Sequence, residues 1–578
     1  VSAKRASGTQ RKRRAPERRP DPLARRIARV VHRHRALIAL GLAAVHLLLA
    51  ALSFLPTPHT GGDNAAYLAL ARSLLVRHAY LEIYDPAAPP HTQYPPVYPG
   101  ILALALVVGL QPWAHIKALI AVFSAGAVAF TFLWGVRRRR PLLALGVAAL
   151  LALSPGVLEL THWELSDVPF WFFTVLALWG WERLRPRETG RLVVAIVATT
   201  LAYFTRSAGL PLLVAALGFL ALRRRWPQLA ALAGVVLPLA LLWWLRAQAQ
   251  GGVDYVEQFW LVNPYDPSQG RAGITDLFAR AFENQSKYAS IHLPMLLADS
   301  QAAFLMVPSA LVTLFGVYGW LCRMRRPGVA ELFLPLYVGL LFVWPAVWSG
   351  ERFLLPVFGM LLLYAGDGVI RVARILRVRP QLTAAVTAAA LLVFALPGIA
   401  TQIRVGHQCR AFGGIGDRYP CLSEPWRDFF IAAEWTGSGL PADAVVIARK
   451  PRLFWALSGL PARIFPFDTV PDLFFDAAEN AGARYLLLDA VDGLSRVYVT
   501  PILARRTQAF CLMRVAPRTG TAVFGILPDA RTAQPAASPD AASRDVPFRV
   551  CPPEYFGNPA DRDALMRGMA AASPGGGA

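Results

Sequence analysis

Four short segments of this 578-residue chain place acidic, basic and phenolic side chains where they could act on a substrate. The first runs Gly61, Gly62, Asp63, Asn64, Ala65, Ala66, Tyr67, with Leu70 and Leu74 continuing one helical stripe. Asp63 stands where a helix N-cap is expected. One reading is a capping carboxylate on an interfacial amphipathic helix; the other is a carboxylate held just above a bilayer. The second segment is Tyr94-Pro95-Pro96-Val97-Tyr98-Pro99. The third, Ser166-Asp167-Val168-Pro169-Phe170, and the fourth, Glu351-Arg352-Phe353-Leu354-Leu355-Pro356, put charge at the head of an apolar run. His91, His162 and His292 could join Asp63 or Asp167 around a divalent cation such as Mg, Mn or Zn, against the plainer reading of a core or surface histidine. Arg206, Lys287 and Arg352 offer positive charge to an anion, against ordinary snorkelling at a membrane edge.

The composition says what must position these residues. Hydrophobic residues make up 55% of the chain and charged residues 16%, well below the roughly 25% of a soluble domain, which excludes an ordinary soluble enzyme. Sixteen Trp, 16 Tyr and 31 Phe exclude general disorder. The net charge of +23 is not a nucleic-acid footprint, because each basic cluster abuts an apolar run. The clusters are the arm up to Arg35, Arg137 to Arg140, Arg183 to Arg191, Arg223 to Arg225, Arg323 to Arg326 and Arg371 to Arg379. That is the pattern of cytoplasmic loops.

Apolar runs that suit spans begin near Ala36, Ala114, Pro141, Asp167, Pro227, Ala302, Val329, Arg352 and Gln381, with shorter ones over Leu192 to Thr205 and Ser207 to Leu222. They predict a polytopic α-helical membrane protein with about eleven transmembrane helices. All clusters fall on one side only if the run from Val97 to Gln111 lies in or dips into the outer interface. The expected organisation is a basic cytoplasmic arm (1–35), a membrane domain (36–403) with outer loops 57–113 and 246–300, and a small extracytoplasmic α/β domain (404–527). The first span suits an uncleaved signal anchor. In the outer domain Ala444 to Ala448, Tyr485 to Asp489 and Arg463 to Phe467 suit strands, and Val470 to Ala481 a helix. The Ala/Pro/Ser-rich stretch 528–578 suits a disordered tail. Cys409, Cys421, Cys511 and Cys551 all fall outside and could form two disulfides, Cys409 with Cys421 being the most economical first pair.

In their order along the chain, the segments resemble the GT-C superfamily of membrane glycosyltransferases. The likeness is to the branch that includes protein O-mannosyltransferases and lipid A aminoarabinose transferases (glycosyltransferase family 39-like). It rests on Gly-Asp-x-x-x-Tyr-x-x-x-Ala from Gly62 to Ala71, the Tyr-Pro-Pro-x-Tyr-Pro and Ser-Asp-x-Pro-Phe patterns, and Asn263-Pro264-Tyr265-Asp266-Pro267 with Gly270. It covers the membrane part to about Ile403, and the outer domain more loosely.

The resemblance implies an inverting enzyme of the plasma (inner) membrane that moves a sugar from a polyprenyl-phosphate carrier to an acceptor hydroxyl on the outer face. Asp63 matches the family's acidic residue of the first outer loop, a general base or metal-linked carboxylate, and Asp167 matches the second acidic position. Tyr67, Tyr94, Tyr98, Arg206, Lys287, Glu351 and Arg352 are expected around the substrate. One base suffices, unlike the carboxylate pair of glycoside hydrolysis. A lipid phosphate already leaves well and needs its charge neutralised more than it needs a proton. Some relatives carry an acidic residue just before the first Pro of the Pro-rich motif where this chain has Gln93-Tyr94, with His91 nearby, which argues against a metal at this spot; for a divalent cation elsewhere on the outer side, His91 and His292 are the candidate ligands. Hexose or pentose, and a protein, lipid or glycan acceptor, stay open. The rival is a lipid-linked substrate flippase or transporter without covalent chemistry. Transporters place sites near the midplane, often between repeats, whereas these polar residues gather at one face. Asn284-Gln285-Ser286 fits a glycosylation sequon.

Overall fold

Every apolar run expected to cross the membrane forms a helix. The computed structural model describes residues 22–110, 112–185, 187–251, 254–413, 419, 421–528 and 548–572. Helix α1 (Pro22–Arg33) precedes α2 (Arg35–Leu52); α3 (Asp63–Val76) and α4 (Val97–Val107) lie in the segment that joins α2 to the next long helix. There follow α5 (Ala114–Arg137), α6 (Pro141–Ala152), α7 (Pro155–Thr161), α8 (Asp167–Trp181), α9 (Thr189–Thr205), α10 (Leu210–Leu222) and α11 (Trp226–Ala249). The segment after α11 carries α12 (Asp254–Phe259), α13 (Ile274–Lys287) and α14 (Leu293–Ala298). Then come α15 (Met306–Arg323), α16 (Val329–Val343), α17 (Glu351–Ile375) and α18 (Pro380–Gly413).

Six of these are long and apolar enough to cross a membrane, namely α2, α5, α11, α15 with the turn before it, α17 and α18. The pair α6–α7, bent by 57°, makes a seventh. The bend has a local cause: Ser154 accepts a hydrogen bond from Val157 N at 3.2 Å and Pro155 opens the next helix, so one run becomes two. Helices α8, α9, α10 and α16 fill the remaining expected runs with 15, 17, 13 and 15 residues. Helix α4, with 11 residues, covers only about 16 Å at 1.5 Å per residue and cannot span. Where α15 crosses α17, a Cβ on Gly319 would strike the Tyr364 carbonyl and one on Gly368 the Phe315 carbonyl, so the absent side chains set how closely the two backbones approach. Inside the bundle His46 donates to the Ala152 carbonyl at 3.1 Å and accepts from Ser124 at 2.7 Å.

Beyond α18 lies α19 (Glu424–Gly439) and a five-stranded sheet of order β2-β1-β3-β5-β4. Strands β1 (Val446–Ala448), β2 (Ala462–Arg463) and β3 (Tyr485–Leu488) are parallel; β4 (Phe510–Val515) and β5 (Ala522–Ile526) are antiparallel to their neighbours. Helices α20 (Pro451–Ser458), α21 (Pro471–Ala481), α22 (Leu494–Tyr498) and α23 (Thr500–Arg505) complete this unit, with an apolar core on each face of the sheet. Cys409 bonds Cys421 and Cys511 bonds Cys551.

The expectation of a disordered stretch over 528–578 needs correction for 548–572. Val550 bridges Leu512, Tyr555 is 1% exposed, and α24 (Pro559–Ala572) follows. The average composition hides the few residues, Cys551, Tyr555 and Phe556, that tie this segment to the sheet. Residues 529–547 and 573–578 of that stretch, and 1–21 of the basic arm, lie outside the described residues.

Candidate functional site

Asp63 is the first residue of α3, not its cap. Gly62 takes the cap position at φ +90°, a left-handed conformation that costs a residue with a Cβ roughly 1–2 kcal/mol. The Asp63 side chain turns instead to partners outside α3. The turn is pinned from beneath by Glu164, which accepts from His59 N at 3.0 Å and Asn64 Nδ2 at 3.2 Å and pairs with Lys117 at 3.4 Å. Lys117 donates onward to the carbonyls of Leu55 and Thr57, at 2.9 and 2.5 Å.

Asp167 opens α8 in the same way. Arg206 sits in the extended break between α9 and α10, and Arg352 in the first turn of α17. The structure brings these four together with alternating charge. Asp63 Oδ2 lies 3.4 and 3.5 Å from the two Nη atoms of Arg352. Asp167 Oδ2 lies 2.8 Å from Arg206 Nη1 and 4.0 Å from Arg352 Nη1. Both guanidiniums lie over the Phe353 ring, at 5.4 and 4.7 Å. Arg206 also donates to Ser166 Oγ at 3.0 Å, and that hydroxyl bonds Tyr67 OH at 2.8 Å. The Tyr67 ring meets the Tyr94 and Tyr98 rings with centroids 4.8 Å away in each case. Burial pushes the Tyr67 phenol up to about 12, so it stays protonated.

The other oxygen of Asp63 has its own partners. Tyr94 OH donates to Oδ1 at 3.0 Å, and Arg452 Nη1 stands 3.6 Å from it. Burial acts to raise the Asp63 pKa, but the Arg352 and Arg452 guanidiniums, helped by the Tyr94 hydroxyl, hold it below its ordinary 3.8. The result is a carboxylate that stays ionised.

Asp63, Tyr67, Tyr94, Arg206, Arg352 and Arg452 form the polar end of a cavity of about 940 Å³. The rest of its wall is largely apolar: Leu210, Pro211 and Val214 from α10 face Leu336, Leu340 and Val343 from α16. Trp163, Tyr265, Trp344 and Trp348 add aromatic surface, and Gln93 with Gln258, 3.3 Å apart, adds amides. An apolar cavity with a few convergent polar groups is the usual form of a small-ligand site.

Not every expected residue reaches this wall. Tyr98 is fully buried behind Tyr67. Glu351 turns to His292 at 3.3 Å. Lys287 pairs with Glu283, one helical turn back, at 2.7 Å and donates to the Ala346 carbonyl at 3.3 Å, so its charge is spent elsewhere. The sequon residue Asn284 is buried, donating to the carbonyls of Phe342 and Trp344 at 2.9 and 2.8 Å.

The two histidines expected as metal ligands are also committed. His91 Nδ1–H donates to Glu82 Oε1 at 2.6 Å while Nε2 accepts from Tyr94 N at 2.7 Å. His292 meets Glu351 through Nδ1 and Ser349 Oγ through Nε2, both at 3.3 Å. His162 bonds the Ala50 carbonyl at 3.0 Å. Among the described residues no three His, Cys, Asp or Glu side chains gather as a ligand set. The positions beside Asp63 and Asp167 are taken by guanidiniums, so this donor set does not fit a divalent cation held by the protein.

Arg452 is the residue that sequence reasoning misses. It reaches Tyr94 across 358 positions of chain. One signal was present: Arg452 follows β1 at the carboxyl end of the parallel strands, where α/β sheets tend to hold ligands. Nothing local says which way that edge faces.

No protein-family model matches the chain, and no curated protein matches it. Solved structures do. One is the oligosaccharyltransferase AglB from Archaeoglobus fulgidus, solved with an inhibitory peptide and a dolichol-phosphate: identity is 13% and TM-score 0.51, over 93% of this chain and 78% of that one. Another is ArnT from Cupriavidus metallidurans in the apo state, at 13% and 0.51, over 86% of this chain and 99% of that one. ArnT bound to undecaprenyl phosphate gives 14% and 0.50, over 85% and 98%. The chain has the GT-C fold, a bundle of membrane helices carrying a small C-terminal sheet.

Proposed function

We propose that this GT-C-fold chain is an inverting glycosyltransferase that takes a sugar from a polyprenyl-phosphate carrier and gives it to an acceptor hydroxyl on the outer face of the membrane. The observation that carries the reading is the cavity: one end carries Asp63, Arg352 and Arg206, with Asp167 buried behind the two arginines, and much of the remainder is apolar wall from α10 and α16. That division matches a substrate with a charged head and a hydrocarbon tail. The neighbouring folds bound to dolichol-phosphate and undecaprenyl phosphate support a ligand of the same kind here.

In the proposed step the donor phosphate takes the place of Asp63 on Arg352 and shares Arg206 with Asp167; the planar forks of the two arginines suit its oxygens. Asp63 takes the proton from the acceptor hydroxyl. That oxygen bonds the anomeric carbon as the bond from the carbon to the phosphate oxygen breaks, with inversion, and the electron pair leaves on the phosphate. The two guanidiniums neutralise the charge gathering there, so no protein acid is required. Asp167 holds Arg206 and Arg352 in place. The aromatic walls and the Gln93–Gln258 amides offer stacking and hydrogen bonds to sugar rings.

The test uses purified protein in membranes with radiolabelled undecaprenyl-phosphate hexoses and pentoses. Wild type should move label to an acceptor or to water, and Asp63→Asn should lose turnover while keeping expression and fold. Normal turnover by Asp63→Asn would sink the mechanism. Donor crossing the bilayer without any transfer would favour the flippase reading.

A further inference from the structure

Arg452 belongs to the small C-terminal unit, yet it reaches the Asp63 carboxylate at the start of α3. We infer that Arg452 is a positioning residue for Asp63, and that the C-terminal unit is thereby an obligatory part of the catalytic centre. This rests on the glycosyltransfer reading and deepens it.

The geometry is a closed ring of hydrogen bonds. Arg452 Nη1 donates to Tyr94 OH at 2.9 Å, and Tyr94 OH donates to Asp63 Oδ1 at 3.0 Å. Arg452 Nε donates to Tyr84 OH at 3.2 Å; Tyr84 OH donates to Glu82 Oε2 at 2.5 Å. Glu82 Oε1 accepts from His91 at 2.6 Å, and His91 accepts from Tyr94 N at 2.7 Å, which closes the circuit. A guanidinium held at two nitrogens has little freedom left, so its placement carries over to Tyr94 and Asp63.

The two oxygens of Asp63 therefore have separate supports. Oδ2 faces Arg352, and Oδ1 faces Tyr94 and Arg452. When the donor phosphate engages Arg352, the support on Oδ2 is withdrawn. Only the Oδ1 side then keeps the carboxylate aimed at the acceptor.

The C-terminal unit is docked in a way that suits this task. Arg463 forks onto Asp85 at 2.7 and 3.1 Å, Ala462 N donates to the Tyr84 carbonyl at 2.8 Å, and Trp455 lies under Arg72 at 5.4 Å. Ala69 of α3 packs with Tyr84 and Trp455 in one small apolar cluster. Helix α20 is thus fixed against α3, the helix that begins with Asp63.

The experiment measures kcat and donor KM for the full-length protein in membranes with a radiolabelled undecaprenyl-phosphate sugar that wild type turns over. R452Q should lower kcat about a hundredfold, the cost of a small misplacement of a reacting group, with donor KM little changed. R452K keeps the charge beside Asp63 but loses the two-point grip, and should recover part of the loss. Protease resistance of the C-terminal unit reports docking; should R452Q fail to fold, R452K carries the comparison alone. Unchanged kcat in the folded variant overturns the inference. So does a loss carried wholly by donor KM, which would make Arg452 a phosphate ligand, or a loss that tracks undocking. Absence of turnover by wild type with every donor overturns the glycosyltransfer reading itself, and this role with it.

Discussion

The ionisation of Asp63 is set by cations from distant parts of the chain, Arg352 and Arg452, and this gives a pH prediction with a definite sign. A carboxylate whose folded pKa is depressed stabilises the folded state above its ordinary pKa, and that contribution is lost as pH falls through the folded value. Arg352 and Arg452 hold Asp63 below its ordinary 3.8 in the ligand-free protein despite burial, so the acid limb of kcat/KM belonging to this group, which reports the free enzyme, should fall below 3.8. In R452Q one of the opposing charges is gone, and the limb should move up. A pH-rate profile over the acid range checks both, and a wild-type Asp63 limb above 3.8 would contradict the arrangement. A second prediction follows from the arginines that stand beside both carboxylates. Exhaustive chelation with EDTA should leave kcat unchanged; a loss restored by Mg, Mn or Zn would place a cation there after all. At this scale Asp63, Asp167, Tyr67, Tyr94 and Arg352 were legible because each lies in a short patterned segment, and Arg206 because it is a lone charge between two apolar runs. The commitments of the histidines were not, since the partner of a ring nitrogen, such as Glu82 for His91, depends on how a loop folds back.

Helices are where the sequence was most readable, because a long apolar run at a known offset from basic residues has few alternatives. The breaks were readable in part: Pro155 and Pro211 mark new helix starts. Strands β4 and β5 were not anticipated. A five-residue buried run such as Ala522–Ile526 has no alternation to separate it from helix, and its partner carries an irregularity between Leu512 and Arg514. The elements also make a prediction about the substrate tail. Val214 of α10 lies on the apolar wall opposite α16. Val214→Trp should therefore raise KM for a long-chain prenyl donor and leave a short-chain donor little affected, measured by steady-state kinetics on both. Equal effects on the two donors would remove the tail from that wall. A backbone prediction belongs here too: Gly62→Ala forces a Cβ into φ +90°, which should cost about 1–2 kcal/mol and shift the start of α3, read as a lower thermal midpoint and a lower kcat.

For the molecule as a whole, the basic clusters converge at one end of the helix bundle. Arg138 bonds Glu331 and reaches Glu182 at 3.4 Å; Arg140 and Arg323 share Asp367 at 2.7 and 2.6 Å. Arg223 donates to the Pro327 carbonyl at 3.2 Å and Arg225 to the Leu184 carbonyl at 3.0 Å. Loops far apart in sequence are thus tied together by the residues that the positive-inside rule would hold in the cytoplasm. Asp63 and its partners sit instead against the unit that carries the sheet and both disulfides, bonds that persist in an oxidising compartment. The prediction is that the catalytic cavity and the sheet face away from the cytoplasm. Single cysteines introduced into a chain lacking Cys322 would report it: Asp468→Cys in the sheet unit should react with a membrane-impermeant maleimide in intact cells, and Arg224→Cys between α10 and α11 should react only after the membrane is opened. The reverse pattern would put the acceptor in the cytoplasm, and a donor presented on the outer leaflet could then not be the substrate.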